Sequence, residues 1–237
     1  MSDSKLDILA FGAHPDDVEL GCGGTLISHV KMGRKAGIVD LTRGEMGTRG
    51  TVEIREKESD KAADILGVEF RLNLNFPDAF LENSQESKMQ IVKLIRQYQP
   101  EIVLATAVED RHPDHGNAAQ LISDACFISG LRKLEIENLE AWRPKAVYHY
   151  IQFKEIMPSV VVDISNFYEQ KMEAVGAHKS QFYDPKSSEP ETIISTPEFL
   201  GFIESKAINF GKQIGVAYGE GFTLNRYVGT ANLFDLI

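Results

Sequence analysis

Short apolar runs alternate with helix-like patterns along the first two-thirds of the chain. The runs predict strands at Ile8–Phe11, Ala36–Leu41, Glu69–Leu74, Ile102–Ala105, Ala146–Tyr150 and Val160–Ile164. The stretches between them predict helices at Gly23–Met32, Val52–Leu66, Gln85–Gln97 and Asn117–Ser129. Gly33 and Gly67 occupy C-cap positions, and Pro100 ends the third helix before its strand. This alternation predicts βαβ units and an α/β fold with a doubly wound, mainly parallel sheet.

The last third of the chain has weaker patterns. Tyr183–Thr196 is rich in Pro, Ser and Glu, which predicts a long surface loop or lid. Pro197–Ile208 has a helical pattern, and the Gly-rich tail to Ile237 is expected to pack back on the same domain. Because no repeat or linker interrupts the chain, we expect one domain over residues 1–237.

Composition and charge narrow the class of protein. A length of 237 residues, 43% of them hydrophobic and 25% charged, suits one α/β domain with a sizeable core. The formal net charge of −10 argues against nonspecific binding to nucleic acid or an anionic membrane, but not against a small anionic substrate. Cys22 and Cys126 form no C-x-x-C pair, which indicates free thiols. Since we find neither a signal-peptide pattern nor a transmembrane-length apolar stretch, we expect a cytoplasmic enzyme.

Two tetrapeptides rich in His and Asp follow two of the predicted strands. His14–Asp17 has the sequence His-Pro-Asp-Asp and follows the first strand, and His112–His115 has the sequence His-Pro-Asp-His and follows the fourth. In a sheet of order 3-2-1-4-5 these strands are neighbours, and ligands bind in the crevice at their carboxyl ends. The two loops are therefore expected to form one site.

The side chains of these loops fit a metal site. His14, Asp17 and His115 supply two imidazole nitrogens and a carboxylate, and three protein ligands leave one position open, as in catalytic zinc sites. The alternative for any one of these histidines is a loop residue bonded to backbone, but two clusters at adjacent strand ends favour a metal. Two histidines and a carboxylate also describe Fe(II) oxygenase sites, and only the sequence context favours Zn²⁺.

The remaining members of the tetrapeptides suit acid–base chemistry. Asp16 is interpreted as the general base that takes a proton from water and returns it to the leaving group. Its alternative is a helix cap, and the roles of Asp16 and Asp17 are interchangeable on the sequence alone. His112, held protonated by Asp114, would stabilise an oxyanion. The alternative makes Asp114 a helix N-cap and His112 a loop residue.

Several other residues have two interpretations. Gly21, Gly23 and Gly24 resemble a phosphate-binding turn, but their spacing favours close backbone packing. Arg55 is either a solvated member of a charged run or a residue that holds an anion in the crevice. Glu19 either supports the site or is an acid in the first turn of a helix.

These motifs resemble those of the LmbE/PIG-L-like zinc-dependent deacetylases of N-acetylglucosamine derivatives, over nearly the whole chain. The resemblance is strongest to the branch that deacetylates N-acetylglucosaminyl malate in bacillithiol biosynthesis. The matching segments are Ala13–Glu19, Thr42–Gly50 with Arg55 and Glu58, His112–His115, His178–Gln181 and Tyr218–Phe222.

The resemblance implies a Rossmann-like domain and the same roles within the two tetrapeptides: zinc on His14, Asp17 and His115, Asp16 as base, and His112 assisted by Asp114 at the oxyanion. It implies that Arg55 binds substrate and that Arg111 and His178 lie near the pocket. It also implies a homo-oligomer, often a hexamer in this branch.

The expected function is therefore zinc-dependent hydrolysis of an N-acetyl group, with N-acetylglucosaminyl malate as the expected substrate. Alternatives on the same fold are a chito-oligosaccharide deacetylase and a thiol-conjugate amidase. A negatively charged aglycone requires local cations, which Arg43, Arg49, Arg55 and Arg111 could supply. A non-catalytic nucleotide- or sugar-binding module is a further alternative, but it has no need for Asp16 and His112 beside a metal.

Overall fold

The computed structural model describes residues 5–236. Residues 1–4, which belong to the amino-terminal stretch without a signal-peptide pattern, lie outside the described residues. The strands are β1 (Ile8–Gly12), β2 (Ala36–Thr42), β3 (Phe70–Phe76), β4 (Ile102–Ala105), β5 (Ala146–Tyr150), β6 (Val160–Asp163) and β7 (Gly219–Leu224). They form a seven-stranded sheet of order β3-β2-β1-β4-β5-β7-β6. The first five strands pair in parallel, and β7 is antiparallel to β5 and β6. The predicted α/β fold with a mainly parallel, doubly wound sheet is confirmed.

Helices cover both faces of the sheet. They are α1 (Asp17–Lys31), α2 (Val52–Leu66), α3 (Gln85–Tyr98), α4 (Pro113–Ser129), α5 (Tyr168–Val175) and α6 (Pro197–Gln213). Because side chains alternate along a strand, Leu9 and Phe11 of β1 join the core under α3 and α4, whereas Ile8 and Ala10 join the core under α1. Since β1 is buried on both faces, the loop that follows it starts from a rigid position.

Helix α1 begins at the second Asp of the first tetrapeptide and is broken at Cys22, whose backbone φ is −147°. The sequence predicted a helix only from Gly23. A Cβ on Gly21 would lie 2.1 Å from the ring of Tyr150, so this glycine allows the helix to approach β5. The close-packing interpretation of the glycine cluster is therefore correct at Gly21.

The carboxyl-terminal third completes the same sheet. Helix α6 extends beyond its predicted end at Ile208, and Tyr183–Thr196 contains no regular helix or strand, as predicted. Helix α5 and strand β7 were not predicted from the sequence. No helix in the described part of the chain is both long and apolar enough to span a bilayer.

Candidate active site

The two His/Asp tetrapeptides meet at the carboxyl ends of the paired strands β1 and β4. The ring centroids of His14 and His112 lie 4.6 Å apart, and those of His14 and His115 lie 5.5 Å apart. The three rings offer nitrogens that all lie within 4.8 Å of one another. These side chains line a cleft of about 260 Å³, so the predicted convergence of the two loops is observed.

Asp17 lies between two of the histidines. Its Oδ2 is 3.5 Å from His14 Nδ1, and its Oδ1 is 3.3 Å from His115 Nε2. Burial raises the pKa of Asp17, but His115 and His14 outweigh burial and hold that pKa well below its usual range. Burial lowers the pKa of His115, but Asp17 and Asp110 together raise it to about 9. Both groups are therefore charged near neutral pH in the metal-free protein.

One nitrogen of His14 lacks a hydrogen-bond partner among the described residues. This Nε2 is buried, and although Asp78 Oδ1 lies 3.0 Å away, the two atoms are not oriented for a hydrogen bond. A second group able to hold a metal consists of His14, Asp78 and Asp114. Imidazole nitrogens and carboxylate oxygens are zinc ligands, so the donor set and the unpartnered nitrogen fit a transition metal such as Zn²⁺.

Asp16 has a strained backbone at the edge of this cluster. Its φ is 129°, in a region that non-glycine residues rarely adopt, and it precedes the first turn of α1. Such strain is found mainly at functional sites. Burial raises the pKa of Asp16 to about 6, against an opposing effect of Arg55. A carboxyl group that titrates near neutral pH is suited to proton transfer.

Arg55 is buried beside Asp16 and is not a solvated member of a charged run. Its Nη1 donates to the carbonyl of Gly44 and its Nη2 to the carbonyl of Pro15, each at 2.9 Å. A Cβ on Gly44 would lie 2.0 Å from Arg55 Nη1, so the loop after β2 needs glycine here to admit the guanidinium. Arg55 also lines the cleft, where it remains a candidate for substrate binding.

His112 and Asp114 are near each other, but not in the predicted pairing. His112 is the N-cap of α4, and its Nδ1 accepts a hydrogen bond from the Asp114 backbone nitrogen at 3.3 Å. The Asp114 carboxylate instead accepts from the backbone nitrogens of Ala79 and Leu81 and faces His14. Burial and the neighbouring histidines lower the pKa of His112. Asp114 opposes this lowering, but its carboxylate is directed at His14 and at two backbone nitrogens rather than at the His112 ring.

Arg111 and His178, which the family resemblance places near the pocket, differ in their position relative to the cleft. Arg111 lines the cleft, and its guanidinium lies 4.9 Å from the ring centroid of Phe153. His178 is completely buried and does not line the cleft. It lies 3.5 Å from Glu19, which pairs with the guanidinium of Arg71 behind the first tetrapeptide.

Besides Lys206 of α6, the sequence analysis missed three polar residues of the cleft: Asp78, Asp110 and Gln152. Asp110 Oδ2 lies 3.0 Å from His115 Nδ1, and Gln152 Nε2 donates to Asp17 Oδ1 at 2.6 Å. Each of the three follows the carboxyl end of a parallel strand, namely β3, β4 or β5. The rule that located the tetrapeptides could have found them as well.

Comparisons with known proteins agree with the site. Residues 9–126 match the PIG-L family, described as GlcNAc-PI de-N-acetylase. The chain is 33% identical to the diacetylchitobiose deacetylase of Thermococcus kodakarensis over 90% of this chain and 81% of that protein. It is 27% identical to a probable N-acetyl-alpha-D-glucosaminyl L-malate deacetylase 2 of Bacillus anthracis, over 74% of this chain and 81% of that protein.

A solved structure shows the same fold. The conserved protein TT1542 of Thermus thermophilus superposes with a TM-score of 0.86 at 39% identity, covering 95% of this chain and 97% of that one. Fold, motifs and sequence relatives thus agree, and the chain belongs to the PIG-L/LmbE family of deacetylases.

Proposed function

We propose that this protein removes the acetyl group from an N-acetylglucosamine-containing saccharide such as diacetylchitobiose. The observation that carries the proposal is the contact of Asp17 with His14 and His115 in the cleft. Asp16, whose pKa is raised to about 6, lies beside them. The chitobiose deacetylase resembles the chain at higher identity and over more of its length than the malate deacetylase does. It therefore replaces the malate enzyme as the first candidate.

We propose His14, Asp17 and His115 as the ligands of one Zn²⁺ per subunit. His115 Nδ1 contacts Asp110, which leaves Nε2 for a metal and places a carboxylate behind the ring, an arrangement common for metal-bound histidines. His112 is excluded from the set because its Nδ1 accepts a backbone N–H. The neutral ring then carries its proton on Nε2 and acts as a donor.

The reaction combines an amide and water to give acetate and an amine. A bound Zn²⁺ would polarise the acetamide carbonyl and acidify water enough for attack at neutral pH. Asp16 accepts the proton of the attacking water and delivers it to the departing nitrogen. His112 donates its Nε2 proton in a hydrogen bond to the developing oxyanion. Arg55 holds the Asp16 loop through the carbonyl of Pro15.

The test is an assay of amine and acetate release from diacetylchitobiose, N-acetylglucosaminyl malate and free N-acetylglucosamine, with bound metal quantified in the same samples. Diacetylchitobiose is expected to give the highest kcat/KM, and removal of the metal is expected to abolish turnover. Release of amine from none of the three substrates by metal-loaded protein would refute the proposal.

N-acetylglucosaminyl malate is the second candidate, and one observation favours it. Arg111 and Lys206 both line the cleft, and within residues 5–236 neither side chain has a carboxylate partner in an ion pair. Burial lowers the pKa of Lys206 to about 7, and a negatively charged aglycone would keep it protonated. A kcat/KM for the malate conjugate above that for diacetylchitobiose would make it the preferred substrate.

The homo-oligomer expected from the family also remains a proposal. Leu233 and Phe234 are 76% and 77% exposed near the carboxyl terminus, where an apolar surface suits contact between subunits. Light scattering after size-exclusion chromatography tests it, and a monomer at micromolar concentration would refute it.

A further inference from the structure

We propose that the side-chain carbonyl of Gln152 accepts a hydrogen bond from the acetamide N–H of the substrate, so that Gln152 selects amides over esters. This inference rests on the proposed deacetylase function and names the residue that recognises the amide nitrogen. Gln152 lies two residues after the end of β5, is 7% exposed and lines the cleft beside the candidate metal ligands.

The orientation of the Gln152 amide follows from its partner. One end of the amide lies 2.6 Å from Asp17 Oδ1, and the other carboxylate oxygen of Asp17 accepts from the His14 backbone nitrogen. An ionised carboxylate only accepts hydrogen bonds, so the amide end that faces it must be the NH₂ group. The carbonyl oxygen Oε1 is therefore the end left for another partner.

This Oε1 is buried and has no hydrogen-bond donor within the described part of the chain. A buried carbonyl without a donor is costly, and such groups in native proteins call for an explanation. The acetamide of a substrate brings one N–H donor, directly bonded to the carbonyl carbon that must lie beside the metal ligands. Asp17 is one of the proposed metal ligands and accepts a hydrogen bond from the NH₂ group of Gln152. The unpartnered Oε1 of Gln152 is therefore expected to lie close to the nitrogen of a substrate whose carbonyl faces the metal.

The backbone around Gln152 is fixed on both sides. The Ile151 nitrogen donates to the Gly221 carbonyl at 2.9 Å, and the Phe153 nitrogen donates to Asp110 Oδ2 at 3.1 Å. The ammonium of Lys206 donates to the carbonyls of both Ile151 and Gln152. A group held in this way is preorganised for its ligand and needs little reordering on binding.

Gln152 thus has two separable roles, because its NH₂ supports Asp17 and its carbonyl faces the substrate. Gln152→Lys keeps a donor for Asp17 and has no acceptor, whereas Gln152→Met has no donor and only a weakly accepting sulfur. Two substrates that differ only at the acetamide nitrogen are compared. An aryl N-acetylglucosaminide has the N–H at this position, and the corresponding aryl 2-O-acetylglucoside has an ester oxygen there. Gln181→Met is the control, since this second buried glutamine of the cleft donates to the Arg49 carbonyl.

For both Gln152 variants, kcat/KM on the amide is expected to fall at least about tenfold more than kcat/KM on the ester, the size of one lost hydrogen bond that leaves its partner unpaired. Gln181→Met is expected to change both substrates by the same factor. Equal losses on amide and ester in the Gln152 variants, or no loss on the amide, would overturn the proposal. Metal content and the thermal midpoint of each variant show whether Asp17 and the fold are intact.

A binding measurement separates this inference from the proposed function. In metal-free protein, saturation-transfer NMR is expected to show tighter binding of the N-acetyl compound than of the O-acetyl compound, and the Gln152 variants are expected to lose that preference. If the wild-type protein hydrolyses neither compound, the deacetylase proposal fails, while this comparison still tests Gln152. Absence of the preference in the wild-type protein refutes the role of Gln152 alone.

Discussion

The guanidinium of Arg55 in α2 lies 3.7 Å from Asp16 in the loop after β1, measured from Nη2 to Oδ2. The same Nη2 donates to the carbonyl of Pro15, so one cation holds both the backbone and the carboxylate of the first tetrapeptide. It also opposes the effect of burial, which raises the pKa of Asp16 to about 6. Arg55 is therefore placed to orient the candidate base and to favour its ionised form.

Replacement of Asp16 by Asn removes the proton acceptor and keeps the shape of the side chain. We expect kcat to fall by about 10²–10⁴-fold, because general acid–base catalysis contributes that much, while zinc content stays unchanged. Steady-state kinetics and metal analysis on the same preparation check this. Near-normal turnover would remove Asp16 from the mechanism.

The pH profile follows from the same carboxyl group. Asp16 accepts a proton only when ionised, so kcat/KM is expected to rise with pH through about 6 and then to level off. Profiles of the wild-type protein at constant ionic strength provide the measurement. An acid limb centred at the ordinary carboxylate value near pH 4 would show that burial does not control this residue.

Zinc affinity is expected to increase with pH. The pKa of His14 lies well above its usual value, since nearby carboxylates outweigh burial, and the pKa of His115 is about 9. Both rings are protonated at pH 6 in the metal-free protein, and zinc binds only neutral imidazole, so each must lose a proton. Competition with a chelator at pH 6, 7 and 8 is expected to show a rise of up to about 100-fold per pH unit.

Two variants control that titration. His115→Ala is expected to lose the metal, whereas His29→Ala is expected to retain it, because His29 lies in the last turn of α1, outside the cleft, where its Nδ1 bonds the Thr25 carbonyl. An affinity that does not change between pH 6 and 8, or zinc retained by His115→Ala, would contradict the ligand assignment.

Two glycines in helices should respond to alanine in opposite directions. A Cβ on Gly21 would overlap the Tyr150 ring at 2.1 Å, so Gly21→Ala is expected to destabilise the protein by about 1–3 kcal/mol through overpacking. A Cβ on Gly201 in α6 meets nothing within 4 Å, so Gly201→Ala is expected to stabilise it by about 0.5–1 kcal/mol. Urea unfolding gives the free energy of unfolding of each variant. Equal changes in the two variants would contradict the close packing of Gly21 against Tyr150.

The buried ion pair of Lys171 and Glu220 is expected to be strongly coupled. Lys171 Nζ donates to Glu220 Oε1 at 2.6 Å and to the Leu20 carbonyl at 3.0 Å. Lys171→Met leaves the buried carboxylate without its counter-ion, and loss of one partner of a buried ion pair costs about 3–5 kcal/mol. The double variant Lys171→Met/Glu220→Gln is expected to lose less than the sum of the single losses. Additive losses would show that the two groups act independently.

The elements that the sequence did not reveal have a common physical cause. Strand β7 contains Gly219 and Gly221, and glycine is depleted in strands, so the segment has no strand-like pattern. A Cβ on Gly221 would lie 2.9 Å from the ring of Phe210, so packing against α6 explains the glycine there. Helix α5 has eight residues, and its N-cap Phe167 makes no side-chain capping bond. Tertiary contacts, rather than local signals, determine both elements.

The part of the candidate site that lies in the two His/Asp tetrapeptides could be predicted from the sequence. His14, Asp17 and His115 were found because two clusters follow adjacent strands. Gln152 and Asp110 are single polar residues in ordinary contexts, and their importance comes from contacts with Asp17 and His115 that only the folded chain creates. The direction of the Asp114 carboxylate was not visible in the sequence, because it depends on the backbone nitrogens of Ala79 and Leu81 after β3.

The break in α1 has a consequence for the order in which the protein is made. Glu220 of β7 accepts hydrogen bonds from the backbone nitrogens of Gly24 and Thr25, directly after the break. The ribosome releases the first helix long before the last strand exists, so the nascent chain lacks the carboxylate that completes this helix. The backbone nitrogens of Gly24 and Thr25 therefore gain this partner only after a residue almost 200 positions further along the chain, at separations of 196 and 195, has been synthesised.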